Sequence, residues 1–129
     1  DEIAWCIAPH RQGLRFSEGD PYAVGMFRDE WGCVFDNIQP GVIGEVRRPI
    51  LNDWSKLDIV KPPYEALEYN LDEIQRYCAE SRLFLLGGKA EPFQRMQFLR
   101  GSENLLFDLA DPSSEFHELL KIVHSLKCF

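Results

Sequence analysis

A short apolar run, RLFLLGG at 82–88, lies between two segments with helical periodicity. Its length and composition suit a strand buried on both faces, and the closing glycine pair suits a loop. The preceding helix, predicted over about 64–81 after the break at Pro62 and Pro63, has apolar residues at every third or fourth position. These positions are Leu67, Leu71, Ile74 and Cys78. The order helix, buried strand, glycine loop, helix indicates an α/β fold.

Helices are also predicted on the carboxyl side of this run. AEPFQRMQFLRG at 90–101 has a proline near its first turn and a glycine at its end, and SENLLFDLA predicts a further short helix. The last helix begins at Asp111 as N-cap, with Pro112 at the first helical position. Its buried stripe is predicted to be Phe116, Leu119, Leu120 and Val123.

Residues 20–50 have a different character, because glycines separate short β-prone runs there. QPGV at 39–42 has the composition of a turn, and it predicts a small β-hairpin-like element around 31–48. The whole chain, 1–129, is interpreted as one partial domain. It opens without Met and closes on HSLKCF while an apolar helical pattern still continues, so both ends are expected to be cut from a longer protein. One buried parallel strand cannot stand alone either.

Composition excludes several classes of function. The net charge is −7 and basic residues are scattered, so neither nucleic acid nor an anionic membrane surface is a favoured partner. No apolar run approaches the roughly 20 residues of a membrane span. The four cysteines are widely spaced, which predicts reduced thiols and a cytoplasmic location. His124 and Cys128 have a zinc-ligand spacing, but two ligands do not make a site, and no metal site is predicted.

Two neighbouring carboxylates are the main candidates for chemistry. Because side chains alternate across a strand, Asp29 and Glu30 are expected to point in opposite directions, so that only one faces a pocket. Solvated turn charges are the plainer interpretation of both, and packing is the plainer interpretation of Trp31. Arg95 or Arg100 could hold an acidic group with two parallel hydrogen bonds, or could be solvated charges on a surface helix.

Three segments follow one another in a familiar order: DPYAVGMFRDEWGCVFDNIQPGVIGEV at 20–46, RLFLLGGKAEPFQRMQFLRG at 82–101, and ENLLFDLADPSSEFHELLKIVHSL at 103–126. In order and spacing they resemble the uroporphyrinogen decarboxylase superfamily, in the branch that carries D-E-W-G. The resemblance implies a (β/α)₈ TIM-type barrel. This chain would form only a partial barrel, its amino-terminal portion, since a complete barrel takes roughly 250 residues.

The resemblance also implies roles for individual residues. Asp29 matches the aspartate that binds the pyrrole N–H groups of the substrate in the decarboxylases, a role that suits an ionised carboxylate. The matching cleft-lining or substrate-binding positions are Gly87, Gly88, Pro92, Phe93 and Phe98. The family's substrate-contacting tyrosine falls at Phe98, which lacks the hydroxyl, and its amino-terminal arginine-rich motif has no clear match in this chain.

The resemblance implies part of an enzyme, either a lyase that decarboxylates a tetrapyrrole or a methyltransferase in corrinoid-linked methyl transfer or O-demethylation. No cofactor is expected in this chain, whereas zinc and a corrinoid are implied for a full-length methyltransferase. The expected partners are a tetrapyrrole or a corrinoid protein, and the remainder of the barrel or a second copy of the chain. The alternative is a non-catalytic binding or assembly domain that homo-oligomerises through its open sheet edge.

Overall fold

The computed structural model describes residues 3–5, 17–68, 70–86 and 91–127. In these ranges the strands are β1 (Ile3–Trp5), β2 (Gly25–Arg28), β3 (Val34–Asn37) and β4 (Phe84–Leu86). Two 3-10 helices span Trp54–Ile59 and Tyr64–Leu67. The α-helices are α1 (Leu71–Glu80), α2 (Pro92–Arg100), α3 (Ser102–Ala110) and α4 (Ser114–Lys127).

The four strands form two separate two-stranded sheets. β2 and β3 make an antiparallel hairpin in which Gly25 pairs with Asn37 and Arg28 with Val34. β1 and β4 pair in parallel, with Ile3 opposite Phe84. A strand is therefore present in the predicted region as β4, and its neighbour is the amino-terminal strand. The prediction that this strand is buried on both faces is wrong, because Phe84 is 67% exposed.

The predicted partial (β/α)₈ barrel is wrong for the described part of the chain. A barrel needs successive parallel strands, each followed by a helix, side by side in one sheet. Here β1–β4 is the only parallel pair within the described ranges, and the hairpin stands apart from it in its own antiparallel sheet. Glycines and prolines interrupt residues 19–49 too often for a helix to cross between parallel strands.

The hairpin-like element predicted around 31–48 is also wrong in its position. The hairpin spans 25–37, and its turn lies at 29–33 rather than at QPGV. The chain after β3 returns only as an isolated antiparallel bridge between Asp36 and Glu45. The turn forms earlier than expected because Asp29 supplies a side-chain acceptor for the backbone amides that follow it.

The core is formed by the inner face of the hairpin, the segment at 51–60, and helices α2, α3 and α4. Its buried apolar residues are Trp31, Cys33, Phe35, Leu51, Val60, Met96, Leu99, Leu105, Phe116, Leu119, Val123 and Leu126. Three of the four residues predicted as the stripe of α4 are among them, and the fourth, Leu120, is 39% exposed. Burial of this stripe holds α4 against α2.

Helix α1 departs from its predicted packing. It begins at Leu71 because the Asn70 side chain accepts a hydrogen bond from the Glu73 amide at 3.2 Å, so the helix is shorter than the predicted 64–81. None of its residues is buried, and Leu71 is 66% exposed. The part of the apolar stripe that lies in α1 is therefore not buried in the core.

The start of α4 is two residues later than predicted. Asp111 and Pro112 precede the helix, and the Ser113 hydroxyl accepts a hydrogen bond from the Phe116 amide at 3.2 Å. Ser113 therefore satisfies one of the free first-turn amides, which was the role predicted for Asp111. Among the described helices, none is long and apolar enough to cross a lipid bilayer.

Candidate functional site

The turn of the β2–β3 hairpin is organised around Asp29. The Asp29 amide donates to the carbonyl of Cys33 at 2.9 Å, and the Gly32 amide donates to the carbonyl of Asp29 at 2.9 Å. The side-chain oxygen Oδ1 accepts from the amides of Trp31 and Cys33 at 3.0 and 2.8 Å. Gly32 has a φ of +87°, a left-handed conformation that glycine adopts without steric cost. The residues D-E-W-G-C thus determine their own turn.

The second carboxylate oxygen of Asp29 faces helix α2. Oδ2 accepts a hydrogen bond from Nη1 of Arg95, and the two side chains are only 5% and 13% exposed. Nη2 of the same guanidinium lies 3.5 Å from Oε1 of Glu30. The expectation that Asp29 and Glu30 point in opposite directions is wrong, because both lie just past the end of β2, where strand alternation no longer applies.

Two aromatic rings complete the surroundings of the guanidinium. The Arg95 Cζ atom is 5.3 Å from the ring centroid of Trp31 and 5.5 Å from that of Phe98. Phe98 in turn packs edge-on against Phe35 of the hairpin, at 5.0 Å between centroids. A guanidinium that is desolvated among rings gains from cation–π attraction and from its acidic partners. Arg95 therefore fastens α2 to the hairpin turn.

This geometry limits what the Asp29 carboxylate can do. Oδ1 already accepts two backbone N–H groups, so a ligand would have to approach Oδ2. Arg95 covers Oδ2, so a ligand that donates N–H must either share this oxygen or displace the guanidinium. The site is an acceptor held in a fixed position, with a cation beside it that can itself bind an acidic group.

Cys33 lies next to this site and is fully buried. Burial, and secondarily the negative charge of Asp29, raises the pKa of the Cys33 thiol to about 12. The thiol is therefore protonated near neutral pH, where the thiolate is the reactive form. Cys33 is a packing residue of the turn and not a nucleophile.

The residues predicted as substrate-binding are only partly brought together. Phe98 joins Asp29 through their shared neighbour Arg95. Pro92 occupies the start of α2, as predicted, and Phe93 is 53% exposed. Gly87 and Gly88 lie outside the described residues.

The sequence identifies Arg95 either as a residue that could hold an external acid or as a solvated charge on a surface helix, but it does not identify the acids that Arg95 contacts. These are Asp29 and Glu30. The signal that could have paired them is the position of Arg95 among Met96, Phe98 and Leu99, since an arginine on a buried helix face needs an acidic partner.

Arg100, the other arginine considered, has a structural role. It is 7% exposed, and its Nε donates to Asp108 at 2.7 Å. Its Nη1 donates to the carbonyl of Leu51 at 3.0 Å, and its Cζ lies 4.3 Å from the ring centroid of Trp54. The guanidinium thus connects α2, α3 and the segment at 51–54 in one contact and is not available to a ligand.

No group of three or more metal-ligating side chains is found in the part of the chain that the structure describes. Cys128, considered with His124 as a zinc-ligand pair, lies outside it. Comparison of the chain with protein-family models, curated proteins and solved structures found no match. The resemblance to uroporphyrinogen decarboxylases therefore remains a prediction from the residues.

Proposed function

We propose that the chain contributes a ligand-binding carboxylate, Asp29, to a cytoplasmic enzyme of the uroporphyrinogen decarboxylase type. The reaction is decarboxylation of a tetrapyrrole, or corrinoid-linked methyl transfer or O-demethylation. The observation that supports this proposal is the fixation of the Asp29 carboxylate by two backbone amides and Arg95. A carboxylate already held in position loses little entropy when it accepts a ligand N–H group.

The proposed roles follow from the neighbours of Asp29. Oδ2 accepts a pyrrole N–H, and Arg95 moves from this oxygen to a carboxylate substituent of the same ligand. Pro92, Phe93 and Phe98 of α2, with Gly87 and Gly88, contribute to the surface that the ligand covers. In a methyltransferase the ligand is a corrinoid, whose ring nitrogens bind cobalt, so that Oδ2 would accept an N–H of a peripheral amide group. Zinc would be bound by residues other than those described here. The proposal depends on these residues and not on a barrel.

The test is calorimetric titration of the 129-residue chain with uroporphyrinogen in the absence of oxygen, and separately with cobalamin. Asp29→Asn is compared with Glu30→Gln, which removes the neighbouring charge. Asn retains a carbonyl oxygen for the two turn amides, so the turn is preserved while the charged acceptor is lost. We expect a loss of affinity of roughly tenfold or more for Asp29→Asn and about twofold or less for Glu30→Gln.

Two results would overturn this proposal. One is that the wild-type chain binds neither tetrapyrrole saturably. The other is equal affinity of the wild-type and Asp29→Asn chains, with thermal melting used to show that both are folded.

A second candidate function is assembly through the β1–β4 sheet. Two-stranded parallel sheets are rarely exposed, because parallel strands are normally covered on both faces and continued at their edges. Phe84 at the start of β4 is 67% exposed, and Leu83 before it is 44% exposed. Among the described strands, β1 and β4 each have one edge that is not paired, and these features favour a second copy of the chain that pairs there. A dimer in solution at micromolar concentration is the expected outcome, and a monomer at all concentrations contradicts it.

A further inference from the structure

The β2–β3 hairpin has an outer face that takes no part in the core. Alternation along the strands turns Phe27, Phe35 and Asn37 inward, and it turns Met26 and Asp36, which pair with each other, outward. Arg28 and Val34 form the next outward-facing pair toward the turn. Met26 is 67% exposed, so an apolar surface lies open between charged side chains.

A shallow cleft follows this outer face. Its main hollow has a volume of about 560 Å³ and is lined by Met26, Val34, Asp36, Arg47 and Arg48. It adjoins two smaller hollows of about 370 and 290 Å³, which share some of these lining residues. Small-molecule sites commonly occupy roughly 300–1,000 Å³ and combine apolar walls with a few polar groups.

Three arginines lie along this cleft. Arg47 is 62% exposed, and its Nε lies 3.2 Å from Oδ2 of Asp36. Arg48 lines the main hollow and Arg28 the smallest. Neither Arg28 nor Arg48 forms an ion pair with an acid among the described residues.

Three acidic residues and three arginines line the cleft, so its charged side chains balance. Glu18 lines the smallest hollow beside Arg28, and Glu45 lines the 370 Å³ hollow beside Arg47. In the main hollow, two arginines face the single acid Asp36. The main hollow therefore has one excess positive charge on a chain with a net charge of −7, and this excess attracts anions to it.

We infer that the cleft binds a small organic dicarboxylate with an apolar body. Arg28 stands one outward-facing pair along the strands from Asp36, roughly 7 Å at strand spacing. Arg47 contacts Asp36 at the far end of this interval. Met26 and Val34 lie between these positions and provide an apolar surface for the body of the ligand. Each guanidinium can bind a carboxylate with two parallel hydrogen bonds. Neither Asp29 nor Arg95 lines the cleft, so this inference is independent of the proposed function.

The test is titration of the ¹⁵N-labelled 129-residue chain with benzene-1,4-dicarboxylate, followed by NMR. Saturable shifts are expected at Met26, Val34 and Arg48. Benzoate, which has one carboxylate, should bind roughly tenfold more weakly or worse. Equal affinity for the two compounds, or no saturable shift at these residues, would overturn the inference.

Variants that change one charge distinguish specific binding in the cleft from nonspecific electrostatic attraction of the ligand to the protein. We expect Arg28→Gln and Arg48→Gln each to weaken binding roughly tenfold, and the matched control Arg76→Gln, on the exposed face of α1, to leave it within about twofold. Asp36→Asn should strengthen binding because it releases Arg47, whereas Asp72→Asn makes the same charge change on α1 and should not. An equal effect of each variant and its control contradicts a specific cleft.

Discussion

At the scale of single residues, the Asp29–Arg95 pair combines two kinds of contact. Oδ1 of Asp29 stabilises the turn to which it belongs, and Oδ2 joins that turn to α2. Both side chains are largely buried, so the loss of either partner leaves an uncompensated charge in a poorly solvated place. The pair should therefore matter far more to stability than an ion pair at the surface.

A double-mutant cycle measures this difference. Arg95→Met retains the length of the side chain but removes the guanidinium, and it should lower the free energy of unfolding by about 3 kcal/mol. Asp29→Asn combined with Arg95→Met should cost less than the sum of the two single changes, by about 1 kcal/mol or more. Urea denaturation of the four chains gives these values.

The control for the cycle is the exposed Arg47–Asp36 pair, whose side chains are 62% and 37% exposed. Arg47→Met should cost at most about 1 kcal/mol, because solvent already screens this pair. If Arg47→Met and Arg95→Met lower the free energy of unfolding equally, the buried pair stabilises the fold no more than the exposed pair.

The sequence permits part of this site to be predicted. Only the family resemblance identifies Asp29, rather than Glu30, as the ligand-binding carboxylate. Local sequence patterns are equally consistent with both being solvated charges in a turn. The sequence identifies Arg95 as a cation that could bind an acid, but it does not identify Asp29 as its partner. Pairing requires knowledge of how α2 lies on the hairpin, and that depends on contacts between segments far apart in the chain.

At the scale of elements, Asn37 and Gly44 fix how the chain leaves the hairpin. Asn37 is 2% exposed, and its Nδ2 donates to the carbonyls of Pro21 and Ala23 at 2.8 and 3.0 Å. Its Oδ1 accepts from the Gly44 amide at 2.6 Å. One buried amide side chain thus ties the loops on both sides of the hairpin to β3.

Gly44 should be intolerant of any side chain. A Cβ added there would lie 2.0 Å from the backbone oxygen of Asp36, so the bridge between Asp36 and Glu45 would have to open. We expect Gly44→Ala to lower the free energy of unfolding by about 2–3 kcal/mol, as in other overpacked sites. Thermal or urea denaturation provides the measurement.

Gly41→Ala is the matched control, because Gly41 has a φ of +81° with no atom near the added Cβ. Its cost should be about 1 kcal/mol, from backbone conformation alone. A larger loss at Gly41 than at Gly44 would show that conformation, rather than close approach, governs these turns.

The bounds of an element were predictable where proline and glycine mark its ends. They were not predictable where a side-chain hydrogen bond to the backbone determines where a turn or helix begins. Proline at the start and glycine after the end place α2 close to its observed limits of Pro92–Arg100. The hairpin was misplaced because a proline–glycine pair at 40–41 is a more visible turn signal than the Asp29 side chain. The apolar stripe predicted for α1 is not buried, because a periodic pattern does not supply the surface that would cover it.

At the scale of the whole molecule, the buried apolar cluster of the described residues is formed by two stretches of the chain. Its members all lie in 31–60 or 96–126, and none of them belongs to α1. The sequence correctly suggested that a strand at 83–87 has a parallel neighbour. The continuation of that pattern into a barrel was inferred from resemblance, and the described strands do not extend it.

The exposed sheet leads to a prediction about assembly. If a second copy covers β4, Phe84→Lys should convert a dimer into a monomer, because the charge would be buried at the interface without a partner. Phe107→Lys on α3 is the matched control, since Phe107 is 68% exposed and Phe84 is 67% exposed. Light scattering after size-exclusion chromatography gives the mass. A dimer that survives Phe84→Lys, or that is lost equally with Phe107→Lys, places the interface elsewhere.

The bonds of Asp29 also differ in when they can form. The partners of Oδ1 are two and four residues away, whereas Arg95 follows 66 residues later. At about 5–20 residues per second, a ribosome releases Arg95 several seconds after Asp29. A hairpin closes in roughly 1–10 μs, so the turn can be complete, with Oδ2 still hydrated, long before α2 exists. During synthesis, the helix docks on a carboxylate that is already aimed at it.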